Sequence, residues 1–216
     1  AVYRSWNRET PVARMRSDWD AAFAGCAVPV SCRAISAGGV DGDWIVSADA
    51  ASGKAILYLH GGGFRLGSVA SHRDLIARIA TASGCGVLAI DYRLAPEHRF
   101  PAALLDAVAA YAWLRGQGLE PRDIAFAGDS AGGNLVLTAM LILRDRGEPL
   151  PAAGVLMSPW TDLAATGASY QSRAAADPIH QRSMILALAK GYLGEGGDPQ
   201  DPLASPLYDD LSGLPP

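Results

Sequence analysis

Ser130 stands in the run Gly128-Asp129-Ser130-Ala131-Gly132, which fits G-x-S-x-G. A short apolar run, Ile124–Ala127, precedes it, and an apolar segment of helical length, Asn134–Leu143, follows. In that setting the chain turns sharply from strand into helix. The turn forces the serine into a strained conformation and projects Oγ over the carboxyl end of a sheet. The N–H of Ala131, at the helix start, can then point at a developing oxyanion. The chemistry these residue types serve is nucleophilic attack on a carbonyl. The competing reading, a glycine-rich turn with an incidental serine, is disfavoured by the strand-turn-helix context.

A second run, His60-Gly61-Gly62-Gly63-Phe64, follows the apolar stretch Ala55–Leu59. Glycines let a backbone approach a ligand closely and turn its N–H groups inward. An HGGG-type loop can form the other half of an oxyanion hole, so Gly62, Gly63 and Ala131 are the expected donors. A phosphate-gripping turn is the rival, but neither G-x-x-x-x-G-K-S/T nor G-x-G-x-x-G follows a strand here. His60 is expected to anchor the glycine loop together with Gly61, rather than to act as a base. Asp129 is expected to fix the turn and nearby loops by hydrogen bonding, its carboxylate directed away from Oγ. His98 reads as part of a hydrogen-bonded loop and His72 as a residue at a helix start. Phe64, Trp160 and Tyr192 are expected either to line an acyl or alcohol pocket or to belong to the core, the two readings being balanced.

These residues need a scaffold, and the apolar spacing supplies one. Val12, Met15, Trp19 and Phe23 give Pro11–Phe23 a helical period. Extended stretches near Val30–Ser36 and Trp44–Ser47 flank turn residues Gly38–Gly42, which predicts a hairpin. Four short apolar runs follow: Ala55–Leu59, Val87–Ile90, Ile124–Ala127 and Gly154–Met157. Between them lie helical stripes, Leu75, Ile76, Ile79 and Ala80 in one, and Leu104, Leu105, Val108 and Ala112 in another that Pro101 opens. Continuous apolar strands alternating with helices indicate an α/β fold whose mostly parallel central sheet carries helices on both faces. From Thr161 to about Gly194 the spacing loosens around one expected helix, Ile179–Tyr192.

The chain has 216 residues, half of them hydrophobic, with a formal net charge of −4. That length suits one core, and the charge argues against a nucleic-acid or anionic-membrane partner. No apolar run reaches membrane-spanning length, and no signal peptide is visible at Ala1-Val2-Tyr3-Arg4. A cytoplasmic location is the expectation. The absence of an initiator Met suggests numbering that begins inside a longer protein. Cys26, Cys32 and Cys85 show no paired metal-ligand spacing and are expected to be buried structural thiols.

Taken together, His60–Phe64, Asp91–Ala102 (DYRLAPEHRFPA), Gly128–Gly133, Ser158–Leu163 (SPWTDL) and Asp201–Leu207 (DPLASPL) resemble the motifs of the hormone-sensitive-lipase branch of the α/β-hydrolases, the bacterial type IV carboxylesterases. The resemblance covers nearly the whole chain. It implies hydrolysis of short-chain carboxylic esters with no metal or organic cofactor. It also implies a helical cap from residues 1–25 and an insertion at 161–194, over a core spanning 26–216. The expected partner is a small-molecule ester; a homodimer is compatible with the reading.

The pattern breaks after the nucleophile. A serine nucleophile needs a base and a carboxylate that orients it, and in this fold their chain order is Ser, Asp or Glu, then His. His180 is the only histidine after Ser130. An Asp162–His180 pair is a minor alternative. The main expectation is a C-terminally truncated enzyme whose triad Asp and His lie beyond residue 216, so that this chain alone is inactive and the strand Gly154–Met157 is left as an uncovered edge. Two rivals stay open: a non-catalytic ligand-binding homologue, and a hydrolase of another acyl bond such as an amide, lactone or acetyl ester.

Overall fold

A computed structural model describes residues 2–7, 9–50 and 53–216. After a short 3-10 turn at Val2–Ser5, helix α1 spans Val12–Phe23, and strands β1 (Ser31–Ala37) and β2 (Val40–Val46) form the expected hairpin. Its turn is only Gly38–Gly39, because Val40 to Gly42 pair with Ala37 to Ile35 in the ladder. Then β3 (Ala55–Leu59), α2 (Arg73–Ser83), β4 (Gly86–Ile90), α3 (Ala102–Gly116), β5 (Ile124–Asp129), α4 (Ala131–Asp145) and β6 (Ala153–Met157) alternate, as the apolar runs predict. Two more helices follow, α5 (Ser169–Ser172) and α6 (Arg182–Leu193).

The six strands form one sheet in the order β1-β2-β4-β3-β5-β6. β1–β2 and β2–β4 are antiparallel, and the remaining three pairings are parallel. Side chains alternate along each strand and so feed two cores. Leu57, Leu59, Leu88 and Ile90 point into the core that holds α3 and α4. Tyr58, Val87 and Ala89 point the other way, toward Ile76 and Ala80 of α2. Helix α4 is buried from Ala131 through Leu143, which explains why its sequence is apolar nearly all round. Two of its polar residues bond within the core: Thr138 Oγ1 donates to Asn134 O at 3.0 Å, and Asn134 Nδ2 donates to Trp160 O and Ala204 O at 2.8 and 2.7 Å, while Asn134 Oδ1 is buried without a partner.

Several expectations need correction. The cysteines are not buried: Cys26 and Cys32 are exposed and Cys85 is half-buried, all three as free thiols. Cys26 lies in the loop after α1, Cys32 on the outermost strand β1, and Cys85 just before β4. The helix stripes hold only in part. Ile76, Ala80, Leu104 and Val108 are buried as expected, but Leu75 and Leu105 are 37% and 42% exposed, and the buried faces also take in Ala77 and Ala103, Ala107 and Ala110. Alanines next to the sheet let the helix backbones approach it closely, a preference that a search for large apolar residues overlooks. Helix α6 starts at Arg182, not Ile179, because Asp177 Oδ1 accepts from Ile179 N and His180 N and holds that segment in a turn. Strand β6 does end the sheet, with Val155 half-exposed, and its Gly154 N–H donates to Pro216 O at 2.8 Å. Among the described residues, no helix is long and apolar enough to cross a membrane.

Candidate active site

The carboxyl ends of β3 and β5 lie side by side, Leu59 level with Gly128, and the residues singled out from the sequence leave the sheet there. Crevices at such strand ends are where open α/β sheets bind ligands. Ser130 links β5 to α4 with φ 52° and ψ −115°, a left-sided conformation costly for any residue with a Cβ. Three backbone hydrogen bonds hold it: Ser130 N to Met157 O at 3.0 Å, and Trp160 N and Asn134 N to Ser130 O at 2.9 and 3.1 Å. The turn also needs Gly132, where a Cβ would overlap Leu59 O.

Across from it runs the loop from His60 to Leu66. Gly62 has φ 124°, and a Cβ there would overlap Leu66 O, whose own N–H closes the loop onto Gly62 O at 2.9 Å. The N–H groups of Gly62 and Gly63 meet no backbone or side-chain acceptor among the described residues, and both glycines line the same cavity as Ser130. Ala131 is fully buried in the first turn of α4, where a helix leaves its N–H groups without intrahelical acceptors.

Asp129 ties the two loops together. Its Oδ1 accepts from Tyr58 Oη at 2.7 Å and from Gly61 N at 2.9 Å, and its Oδ2 lies 3.6 Å from His72 Nε2. Burial alone would push this carboxyl up, but His72, the Tyr58 hydroxyl and the Gly61 N–H together hold it below the usual carboxylate range. His60 is buried, stacks on Tyr92 with ring centres 4.2 Å apart, and directs Nδ1 at Gly61 O, 2.7 Å away. Burial, with His72 nearby, pushes it down to about 3, so the ring is neutral near pH 7.

A cavity of about 950 Å³ opens on Ser130, Gly62 and Gly63. Trp6, Met15 and Trp19 from the N-terminal segment, Trp160 from the loop after β6, and Met184 and Leu188 from α6 form apolar walls. Trp160 is therefore a lining residue. Phe64 and Tyr192 are not: both are buried and stack on each other, ring centres 3.8 Å apart, one layer behind the wall. His98, as expected, sits in a hydrogen-bonded loop, its N–H donating to Leu94 O.

Asp162 and His180 are not brought together. The Asp162 carboxylate accepts from Ala164 N, Thr166 N, Thr166 Oγ1 and Tyr208 Oη. His180 lines the cavity, but its Nδ1 faces Asp177 Oδ2 at 3.3 Å. No histidine among the described residues hydrogen-bonds Ser130 Oγ. Sequence reasoning missed Tyr58 and Arg65 in this region and took His72 only as a helix start. The one available signal was a hydroxyl-bearing Tyr58 in an otherwise aliphatic strand.

Residues 56–216 match the family model described as the alpha/beta hydrolase fold. The chain is 46% identical over 195 residues to an acetyl-hydrolase of Streptomyces hygroscopicus, covering 90% of this chain and 64% of that one. It is 40% identical over 187 residues to an esterase of Acinetobacter venetianus, covering 87% and 61%. The chain thus spans less than two thirds of the length of these curated relatives. A solved structure of an esterase from the bacterial hormone-sensitive lipase family superposes with a TM-score of 0.94 at 45% identity, covering all of this chain and 73% of that one. Sheet, turn and glycine loop are those of an α/β-hydrolase-fold protein. Within that fold, the chain belongs to the hormone-sensitive lipase family.

Proposed function

We propose that the protein is a serine carboxylesterase for short-chain esters, with Ser130 as nucleophile and Gly62, Gly63 and Ala131 as oxyanion donors. The observation that carries this is the strained Ser130 facing one cavity together with two N–H groups that have no acceptor. In the reaction, Ser130 Oγ attacks the ester carbonyl while its proton passes to a base. The tetrahedral oxygen is held by the glycine-loop and helix N–H groups. Collapse expels the alcohol, which takes the proton, and water then cleaves the acyl-serine by the same steps. His180 faces Asp177 and hydrogen-bonds no atom of Ser130, so base and orienting carboxylate are assigned to parts of the whole protein beyond these residues.

Residues 1–25 and 161–194 are read as the cap. Leu188 lies close against the glycine loop, where a Cβ on Gly63 would be 2.9 Å from its Cδ1, and this close approach supports a small acyl group beside Ser130. A relative named as an acetyl-hydrolase points to the same small acyl class. The test is hydrolysis of 4-nitrophenyl acetate and butyrate by the product of the whole gene. Ser130→Ala is expected to lower kcat by at least about 10³-fold while the fold, read by circular dichroism, stays intact. Turnover unchanged in that variant would refute the assignment.

A further inference from the structure

We infer that Arg65 makes this cavity select esters that carry a carboxylate group separate from the scissile carbonyl, such as half-esters of dicarboxylic acids. The inference rests on reading the cavity as an ester site and adds a substrate class to it. Arg65 lines the cavity two positions beyond Gly63, and its Nε is buried without a hydrogen-bond partner. No carboxylate among the described residues lies within ion-pair distance of it. Elsewhere Arg16 pairs with Glu97, Arg73 with Asp43 and Arg93 with Asp106, while Arg115, which does not line this cavity, also has a buried Nε without a partner.

The other charged groups at the cavity are already committed. Asp129 accepts from Tyr58 and Gly61, and His180 faces Asp177. Arg65 is also held in place, since its carbonyl accepts from Arg16 Nε at 2.9 Å. The guanidinium has no carboxylate partner among the described residues, so an anion entering the cavity gains a charge-assisted hydrogen bond without displacing an existing ion pair. The planar fork of five donors matches a carboxylate, and apolar walls such as Trp19 and Trp160 strengthen the attraction by keeping water away.

The experiment separates binding from turnover by using the Ser130→Ala protein. Monomethyl glutarate, an anion, and dimethyl glutarate, its neutral counterpart, are titrated while the fluorescence of the cavity tryptophans is followed. The anion is expected to bind roughly tenfold more tightly, with the preference shrinking as salt is added. Arg65→Gln is expected to abolish the preference while leaving dimethyl glutarate binding unchanged, and Arg65→Lys to keep part of it. Equal affinities for the two esters, no binding of the anion, or a preference that survives Arg65→Gln would overturn the proposal. The result is independent of hydrolysis, so loss of the esterase reading would show in turnover and loss of this one only in the affinity ratio.

Discussion

Ser130 and His60 both adopt states that an isolated residue avoids, and in each case the surroundings impose the state. Ser130 holds its positive φ at a cost of about 1–3 kcal/mol, offset by the bonds that tie it to Met157, Trp160 and Asn134. His60 stays neutral because its ring is buried against Tyr92, which lowers its pKa from the ordinary value to about 3. Unfolding releases the ring to its ordinary value of about 6.5. Between those two values the unfolded chain binds a proton that the folded chain does not, so stability falls as pH drops through that window. From pH 6.5 to 4.5 this one residue is expected to remove about 2 kcal/mol. Urea midpoints measured across the window should fall less steeply for His60→Asn than for the parent chain; parallel curves would contradict the account. Ser130 and the glycine loop were legible in the sequence because their motifs are local. Tyr58 and Arg65 were not, since the first matters only through the β3–β5 pairing and the second only through the wall it joins.

At the scale of elements, α1 shows how a helix can be held without a fully buried face. None of its residues is fully buried, though Val12, Met15 and Trp19 are partly so. Arg16 adds polar contacts: its guanidinium donates to both oxygens of Glu97 at 3.0 and 2.8 Å, to Ala95 O at 2.9 Å and to Arg65 O at 2.9 Å. Asp20 adds a bond from Ser68 Oγ at 2.7 Å. The same helix carries Met15 and Trp19 into the cavity wall. Arg16→Ala is therefore expected to raise amide exchange across residues 12–23 by about tenfold, with the central sheet unaffected. Uniform exchange changes, or none, would show that the helix is held some other way. The period of α1 was readable from its apolar residues. The facing of α3 was legible only in part: Leu104 and Val108 of its stripe are buried, but so are Ala103, Ala107 and Ala110, while Leu105 is exposed.

For the whole molecule, alternating apolar runs and helical stripes were enough to expect a mostly parallel sheet, and the chain builds one. Strand order is a different matter. β4 lies between β2 and β3, and β3 separates it from β5, an arrangement that depends on which faces the helices cover rather than on any one segment. Exposure at the two edges, with Cys32 on β1 and Val155 on β6, likewise follows from position in the sheet and not from residue type. That order brings the ends of β3 and β5 together, and with them the glycine loop and the Ser130 turn. Ser130 is proposed as the group that forms the acyl-enzyme. The most direct measurement is peptide mass spectrometry of the whole gene product after reaction with a fluorophosphonate ester. One phosphonyl adduct is expected, on the peptide carrying Ser130, and none in Ser130→Ala. An adduct on another residue, or an unmodified Ser130 in a folded protein that hydrolyses esters, would contradict this assignment.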